Sequence, residues 1–231
     1  MNITIFGVGY VGLTTGACLA NLGHAVLCVD VDKARIASLQ EGKVPFYEPG
    51  LQDLINHNTK KGKLRFSTSA EEGVKFGEAI FNCVGTPSND DGSANLEYVF
   101  SVARTIGEHM DDYKVIINKS TVPPGTARKM AEIISNNNKK RIAFDVVSNP
   151  EFLREGNAIR AFNYPDKIVV GTDSEKALTI MRKIYSGRMR TYLPIVETDW
   201  ETAELIKYAN NSFLATKISF INEISVICEN T

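Results

Sequence analysis

The residues of this chain best suited to chemistry fall into five clusters, and the first is the most specific. Gly7, Gly9 and Gly12 stand in the turn Gly7-Val8-Gly9-Tyr10-Val11-Gly12, directly after the apolar run Ile3-Thr4-Ile5-Phe6. Asp30 closes the second apolar run, Ala25-Val26-Leu27-Cys28-Val29. A strand, a Gly-x-Gly-x-x-Gly turn, a helix, a second strand and a carboxylate at this spacing make a dinucleotide-binding βαβ unit. Gly7 permits the tight turn, Gly9 lets backbone approach a pyrophosphate, and Gly12 lets the helix pack closely on the strand. The helix start offers unpaired N–H groups and partial positive charge to the phosphates. Asp30 is placed to accept from both ribose hydroxyls and to repel a 2′-phosphate, which selects NAD over NADP. Arg35 reads as a cation beside the adenosine or as a solvated helix residue.

Three further clusters follow strand-like runs, where open α/β sheets bind ligands. Gly85-Thr86-Pro87 is suited to contact ribose or pyrophosphate, or to serve as an ordinary turn. In Lys119-Ser120-Thr121-Val122-Pro123-Pro124, Ser120 or Thr121 can cap the next helix, and a hydroxyl beside the nicotinamide can also hold a water. Ser148-Asn149-Pro150-Glu151-Phe152-Leu153-Arg154-Glu155-Gly156 carries two carboxylates four residues apart. They either favour a nearby helix N-terminus or supply a general base at the cofactor edge. The fifth cluster is Lys207 with Asn211, four apart and therefore on one helix face; Lys217 is expected on another.

The elements that must position these residues alternate. Strand-like runs cover 2–6, 25–29, 63–67, 78–84, 114–118, 143–148, 167–171 and 191–196. Helical patterns cover 10–22, 32–41, 48–58, 95–109, 124–136, 155–161 and 174–186. This alternation predicts an α/β, Rossmann-type doubly wound sheet, mostly parallel, over residues 1–197. From residue 198 to 231 the pattern is one long helix, capped by Thr198 or Asp199, with Glu201 and Glu204 in its first turns and no closing glycine. The expectation is an N-terminal portion of a longer protein.

Composition narrows the classes. Among 231 residues, 26 are Lys or Arg and 27 Asp or Glu, without a basic block, so nucleic acid and anionic membrane surfaces are not expected partners. No apolar run reaches membrane-span length, and a strand begins at residue 2, which argues against a signal peptide. Cys18, Cys28, Cys83 and Cys228 lack metal spacing and read as reduced and structural, in a cytoplasmic protein. The three histidines stand apart from other candidate ligands, so no metal site is expected.

Taken together, Gly7–Gly12, Glu48-Pro49-Gly50-Leu51, Gly85-Thr86-Pro87, Lys119-Ser120-Thr121-Val122-Pro123, Asn149–Gly156, Pro165-Asp166 and Lys207-Tyr208-Ala209-Asn210-Asn211 resemble the UDP-glucose/GDP-mannose dehydrogenase family. The resemblance runs nearly end to end. It implies oxidation of the C6 alcohol of a nucleotide sugar to a carboxylate, with two NAD per turnover. It gives Lys207 and Asn211 the stabilisation of oxyanion charge, Thr121 and Glu151 the handling of water, and Glu155 a cofactor contact. Residues 151–155 (Glu151, Phe152, Leu153, Arg154 and Glu155) would help hold the sugar, with Lys207 and Asn211. Asn149–Leu153 looks more like the UDP-glucose or GDP-mannose branches than the N-acetylmannosamine one. Ala209, Phe213, Leu214 and the run 218–223 look more like UDP-glucose enzymes. The family's nucleophilic Cys, in a Cys-Phe-Pro-Lys-Asp segment, and its second nucleotide-binding domain are not in these residues, and Cys228 is no substitute. The resemblance therefore implies cofactor binding without complete catalysis, and a homodimer through the long helix. Two alternatives are a dehydrogenase of the 3-hydroxyacid or 6-phosphogluconate type and a free-standing NAD-binding module.

Overall fold

A computed structural model describes residues 1–186 and 194–230. Eight strands form one sheet: β1 (Asn2–Phe6), β2 (Ala25–Val29), β3 (Leu64–Ser67), β4 (Ala79–Asn82), β5 (Lys114–Asn118), β6 (Phe144–Ser148), β7 (Ile168–Gly171) and β8 (Ile195–Thr198). The helices are α1 (Tyr10–Asn21), α2 (Lys33–Gln40), α3 (Leu51–Lys60), α4 (Ala70–Phe76), α5 (Glu97–His109), α6 (Thr126–Asn137), α7 (Ala158–Asn163), α8 (Glu175–Tyr185) and α9 (Trp200–Glu229). The spatial order is β3-β2-β1-β4-β5-β6-β7-β8. Every pairing is parallel except β6 with β7. The chain winds outward from β1 to β3 and then returns to β4 on the other side of β1. That reversal opens a crevice beyond the carboxyl ends of β1 and β4, the place where open α/β sheets bind ligands.

Strand alternation sets the layers. Ile3, Ile5, Val26, Cys28, Phe81, Val115, Ile117 and Val147 face one core, with Leu13, Ala17, Leu51, Ile55 and Met181 from the helices. Leu27, Val29, Ile80, Ile116 and Val146 face the other, with Val74, Val99, Ile106, Met130 and Ile134. Successive strand residues point to opposite faces, so a sheet covered on both sides reads as an unbroken apolar run. Cys18, Cys28 and Cys83 are buried free thiols, and Cys228 is exposed on α9. Burial pushes the Cys18 and Cys83 thiols up to about 12, which makes them poor nucleophiles at neutral pH.

Several boundaries differ from the pattern reading for identifiable reasons. No element is expected between 67 and 78, yet α4 lies there, started by Ser69, whose hydroxyl accepts from the Glu72 amide at 3.2 Å. Ser69-Ala70-Glu71-Glu72 is a capping-box sequence, obscured by Gly73. That glycine is required by packing: a Cβ would stand 2.8 Å from Val29 Cγ2. The helices expected from 48 and 155 start later, at Leu51 and Ala158, after Gly50 (φ 79°) and Gly156 (φ 78°) turn the chain through left-handed backbone. Asp199 caps α9, accepting from the Thr202 amide at 2.7 Å, while Thr198 closes β8. Residues 191–193 of the last expected strand lie outside the described residues. Gly171 brings α9 against β7, since a Cβ there would meet Ala203 Cβ at 2.6 Å. Only the first turns of α9 are packed this way; from Asn211 to Asn230 the helix is exposed throughout.

Candidate functional site

Two clefts open side by side beyond the strand ends. The first, about 770 Å³, is lined by the turn after β1 (Gly7, Gly9, Tyr10, Val11), by Asp30, Asp32 and Arg35 after β2, by Gly85 and Thr86 after β4, and by Ser120 and Thr121 after β5. The turn is shaped by its glycines. Gly7 has φ 89°, and a Cβ on Gly12 would fall 1.8 Å from the Gly7 carbonyl oxygen. A Cβ on Gly9 would meet no protein atom within 4 Å, so that position faces open groove. No side chain caps the N-terminus of α1, which leaves its first amides and their partial charge directed at the groove. The site thus fits a pyrophosphate at this helix.

Asp30 is held at the groove edge by backbone. One carboxylate oxygen accepts from the Val8 amide at 2.8 Å, and the other accepts from the Asp32 amide at 3.0 Å. Arg35 lies 3.4 Å from Asp30 and 3.5 Å from Asp32. Two carboxylates around one guanidinium leave little cationic character for a 2′-phosphate, and Asp30 keeps lone pairs for ribose hydroxyls. Val8 and Gly12 act from beneath the surface, through the Asp30 bond and the helix–turn contact. Pro87 and Glu155 line neither cleft.

Ser120 and Thr121 do not cap the helix that follows. Ser120 Oγ donates to the Val84 carbonyl at 2.7 Å, and the Thr121 carbonyl accepts from Thr86 Oγ1 at 3.0 Å, which ties the two loops of the groove together. The N-terminus of α6 is capped instead by Glu204 of α9, whose two oxygens accept from the Gly125 and Ala127 amides, each at 2.7 Å. Burial pushes the Glu204 carboxyl up to about 7 against the lowering effect of those amides.

The second cleft, about 520 Å³, is lined by residues 149–154, by Asp166 and Lys167, and by Lys207, Asn210, Asn211 and Lys217 of α9. Lys119 and Glu151 line both clefts. Glu151 Oε1 accepts from Lys207 Nζ at 2.8 Å, and Oε2 accepts from the Leu153 amide at 2.6 Å. Both members of this ion pair are largely buried, which strengthens the pair and fixes its geometry. Lys119 Nζ is 3.3 Å from Asn149 Oδ1, which also accepts from Tyr185 Oη at 2.6 Å. Phe152 has the Lys167 and Lys207 ammonium groups 4.7 and 5.4 Å from its ring centre. Arg154 reaches Asp166 at 3.3 Å.

The structure therefore brings Thr121, Glu151, Lys207 and Asn211 to adjoining clefts. Lys217, expected on another face from its spacing, also lines the cleft of Lys207. The helix near Glu151 and Glu155 starts too late for either to serve its first turn. Glu48 does so, from more than a hundred residues away: its oxygens accept from the Gly156 and Ala158 amides, both at 2.8 Å. Lys119, Asn149 and Glu48 carry no role that their local sequence reveals. Their one signal is that each begins or sits inside a motif already marked, directly after a strand or before a helix. Among the described residues, no group of His, Cys, Asp and Glu could hold a metal, and no helix is long and apolar enough to cross a membrane.

Comparison with known proteins agrees with this geometry. Residues 1–188 match the model of the NAD binding domain of the UDP-glucose/GDP-mannose dehydrogenase family, and residues 201–231 match its central domain. The chain is 47% identical over 227 residues to the UDP-glucose 6-dehydrogenase TuaD of Bacillus subtilis, covering 98% of this chain and 49% of that one. A UDP-glucose dehydrogenase structure from Pyrobaculum islandicum superimposes with a TM-score of 0.92 at 40% identity, over 97% of this chain and 52% of that one. A GDP-mannose dehydrogenase structure from Pseudomonas aeruginosa gives 0.91 at 36% identity, over 96% and 52%. The chain spans about half the length of the relatives it matches. The dinucleotide groove, the second cleft that shares Glu151 with it and the match over residues 1–188 converge on one conclusion: this chain belongs to the UDP-glucose/GDP-mannose dehydrogenase family and carries its NAD-binding domain.

Proposed function

We propose that this chain is the NAD-binding portion of a nucleotide-sugar 6-dehydrogenase that oxidises the C6 alcohol of UDP-glucose to UDP-glucuronate. The observation that carries the reading is the buried Glu151–Lys207 pair, in which Glu151 stands on the wall common to a dinucleotide groove and a second cleft and Lys207 lines the second. Each sugar together with one water would give up two hydrides and three protons, and the water oxygen stays in the new carboxylate. NAD, when bound, accepts the hydrides. Gly7–Gly12 and the start of α1 hold its pyrophosphate, and Asp30 its adenine ribose. Thr86, Ser120 and Thr121 border the same groove as Glu151.

The Lys207 ammonium and the Asn211 amide donate to the oxygen that gains negative charge as hydride leaves C6. Glu151, with Thr121, positions water and takes its proton. While Lys207 holds Glu151, the carboxylate stays oriented. Residues 152–154 hold the sugar beside this pair. Exposed Phe213, Leu214, Ile218 and Ile221 along α9 support a homodimer through that helix, and the buried free thiols support a reducing, cytoplasmic location.

The test is NADH formation by the protein expressed from its complete reading frame, with UDP-glucose, GDP-mannose, a 3-hydroxyacid and 6-phosphogluconate compared at equal concentration. Two NADH per UDP-glucose are expected. Turnover of a 3-hydroxyacid or 6-phosphogluconate without turnover of UDP-glucose overturns the reading.

A further inference from the structure

Glu48 opens the motif Glu48-Pro49-Gly50-Leu51, to which the proposed chemistry assigns no task. Its side chain is 4% exposed. Oε2 accepts from Tyr10 Oη at 2.7 Å and from the Gly156 amide at 2.8 Å, and Oε1 accepts from the Ala158 amide at 2.8 Å. Tyr10 is the first residue of α1 and lines the dinucleotide groove. Its hydroxyl also lies 3.2 Å from the Arg154 carbonyl, in the loop that lines the second cleft. Its ring packs on Phe46 with centroids 5.3 Å apart, two residues before Glu48.

This is more than a helix cap needs. Asn157 precedes α7 and makes no capping bond, although a side chain there could satisfy an amide locally. Instead a carboxylate is delivered from another part of the chain and taken out of water, which is costly unless its lone pairs are filled. Among the described residues no Lys or Arg forms an ion pair with it; its partners are two amides and a phenol. Burial raises its pKa, but the bonds from Tyr10, Ala158 and Gly156 outweigh that and hold the carboxyl below its usual range. Burial and the adjoining Glu48 push the Tyr10 hydroxyl up, so it remains the donor.

We propose that Glu48 is a positioning residue that, through Tyr10, locks the sugar-facing loop 151–157 to the glycine-rich turn of the cofactor groove. The loop is then fixed at both ends. Glu48 and Tyr10 hold its residues 154–158 against α1, and Lys207 holds Glu151 against α9. Filling the groove orders Tyr10, Tyr10 orders the loop, and the loop presents the sugar to the dinucleotide. Binding of the two ligands is therefore coupled, and by linkage each tightens the other equally. The inference rests on the proposed function, because it takes the two clefts as the cofactor and nucleotide-sugar sites.

The experiment measures the dissociation constant of UDP-glucose with and without saturating NADH, by calorimetry on the protein expressed from its complete reading frame. NADH replaces NAD so that no turnover occurs. The wild-type ratio is expected to be about fivefold or more, the lower end of ordinary coupling between sites. In Glu48→Gln and in Tyr10→Phe the ratio should fall toward one, and kcat should fall by a larger factor than the KM for the sugar changes. The double variant should lose no more than the worse single variant, since both break one link. Tyr10→Phe leaves the α7 amides with their carboxylate and decides the matter if Glu48→Gln does not fold. A role confined to holding α7 predicts a lower melting temperature with the ratio unchanged, and that result overturns the inference. So do additive losses in the double variant, or independent binding of the two ligands to the wild type. Wild-type protein that binds neither ligand refutes the proposed function instead.

Discussion

At the residue scale, the group proposed to discriminate between cofactors is Asp30. Its carboxylate is oriented by two backbone amides and adjoins Arg35, so its removal would take away the proposed charge-assisted ribose bonds without dismantling a fold element. Asp30→Ala is expected to weaken NAD by about 1–3 kcal/mol and to narrow the preference over NADP, read by calorimetric titration of both cofactors at one ionic strength. Equal affinity of the wild type for the two cofactors would show that Asp30 does not select. Lys207 is the corresponding group in the second cleft. In the complete enzyme Lys207→Ala should lower kcat by roughly 10²-fold or more while NAD affinity stays constant, as for loss of an oxyanion donor. Lys217 shares the cleft, so the comparison is with Lys75→Ala, an exposed lysine of α4 paired with Glu71. A change in KM alone after Lys207→Ala would assign that residue to ground-state binding.

At the element scale, the fold depends on helices lying unusually close to the sheet and to one another. Gly12 is the tightest case, because its missing Cβ makes room for the Gly7 carbonyl. Gly12→Ala drives α1 off the turn, with an expected loss at or above the ~1–3 kcal/mol typical of overpacking. Both the urea midpoint and NAD affinity should fall. Gly9→Ala separates the two effects: its Cβ meets no protein atom, so cofactor affinity should drop with stability nearly intact. Equal destabilisation by both changes would show that the turn is not shaped around a ligand. The order of elements was legible in the sequence because periods of two and 3.6 are local properties of composition. Helix α4 was not, because Gly73 lowers helix propensity and the compensating contact with Val29 is tertiary. The capping of α6 and α7 was not legible either. Ser120, Thr121, Glu151 and Glu155 are plausible local caps, but the carboxylates that perform the task come from Glu204 and Glu48.

At the scale of the whole molecule, Glu204 joins α9 to the NAD-binding body. It is 2% exposed, and burial moves its titration from the usual carboxylate range to about 7 in the folded state. The folded protein then binds this proton more tightly than the unfolded chain, so the contribution of Glu204 to stability is highest at low pH, declines as pH rises from about 4.5 toward 7, and levels off above. One pKa unit corresponds to ~1.4 kcal/mol, which bounds the decline at a few kcal/mol. Glu201 is the nearby like charge, and Arg128, bound to Glu201 at 2.8 Å, offsets it. In chemical denaturation between pH 4.5 and 8, Glu204→Gln should remove this component of the slope. An identical slope in the variant would mean that the α6 amides keep Glu204 ionised throughout.

The dinucleotide-binding unit, the doubly wound sheet and the family can be read from the residues alone. Glycines at positions 7, 9 and 12 have few steric alternatives, an acid after the second strand has few other uses, and strand–helix periodicity is written residue by residue. Those constraints act over a few residues and survive without knowledge of what packs where. Packing, by contrast, sets that Glu151 meets Lys207, that Lys217 shares their cleft, and that Glu48 and Glu204 cap helices far from them in the chain. Each of those pairings depends on where a crossover returns to the sheet. A buried carboxylate accepts from whichever unpaired amide that return path brings within reach, and no local pattern of residues encodes it.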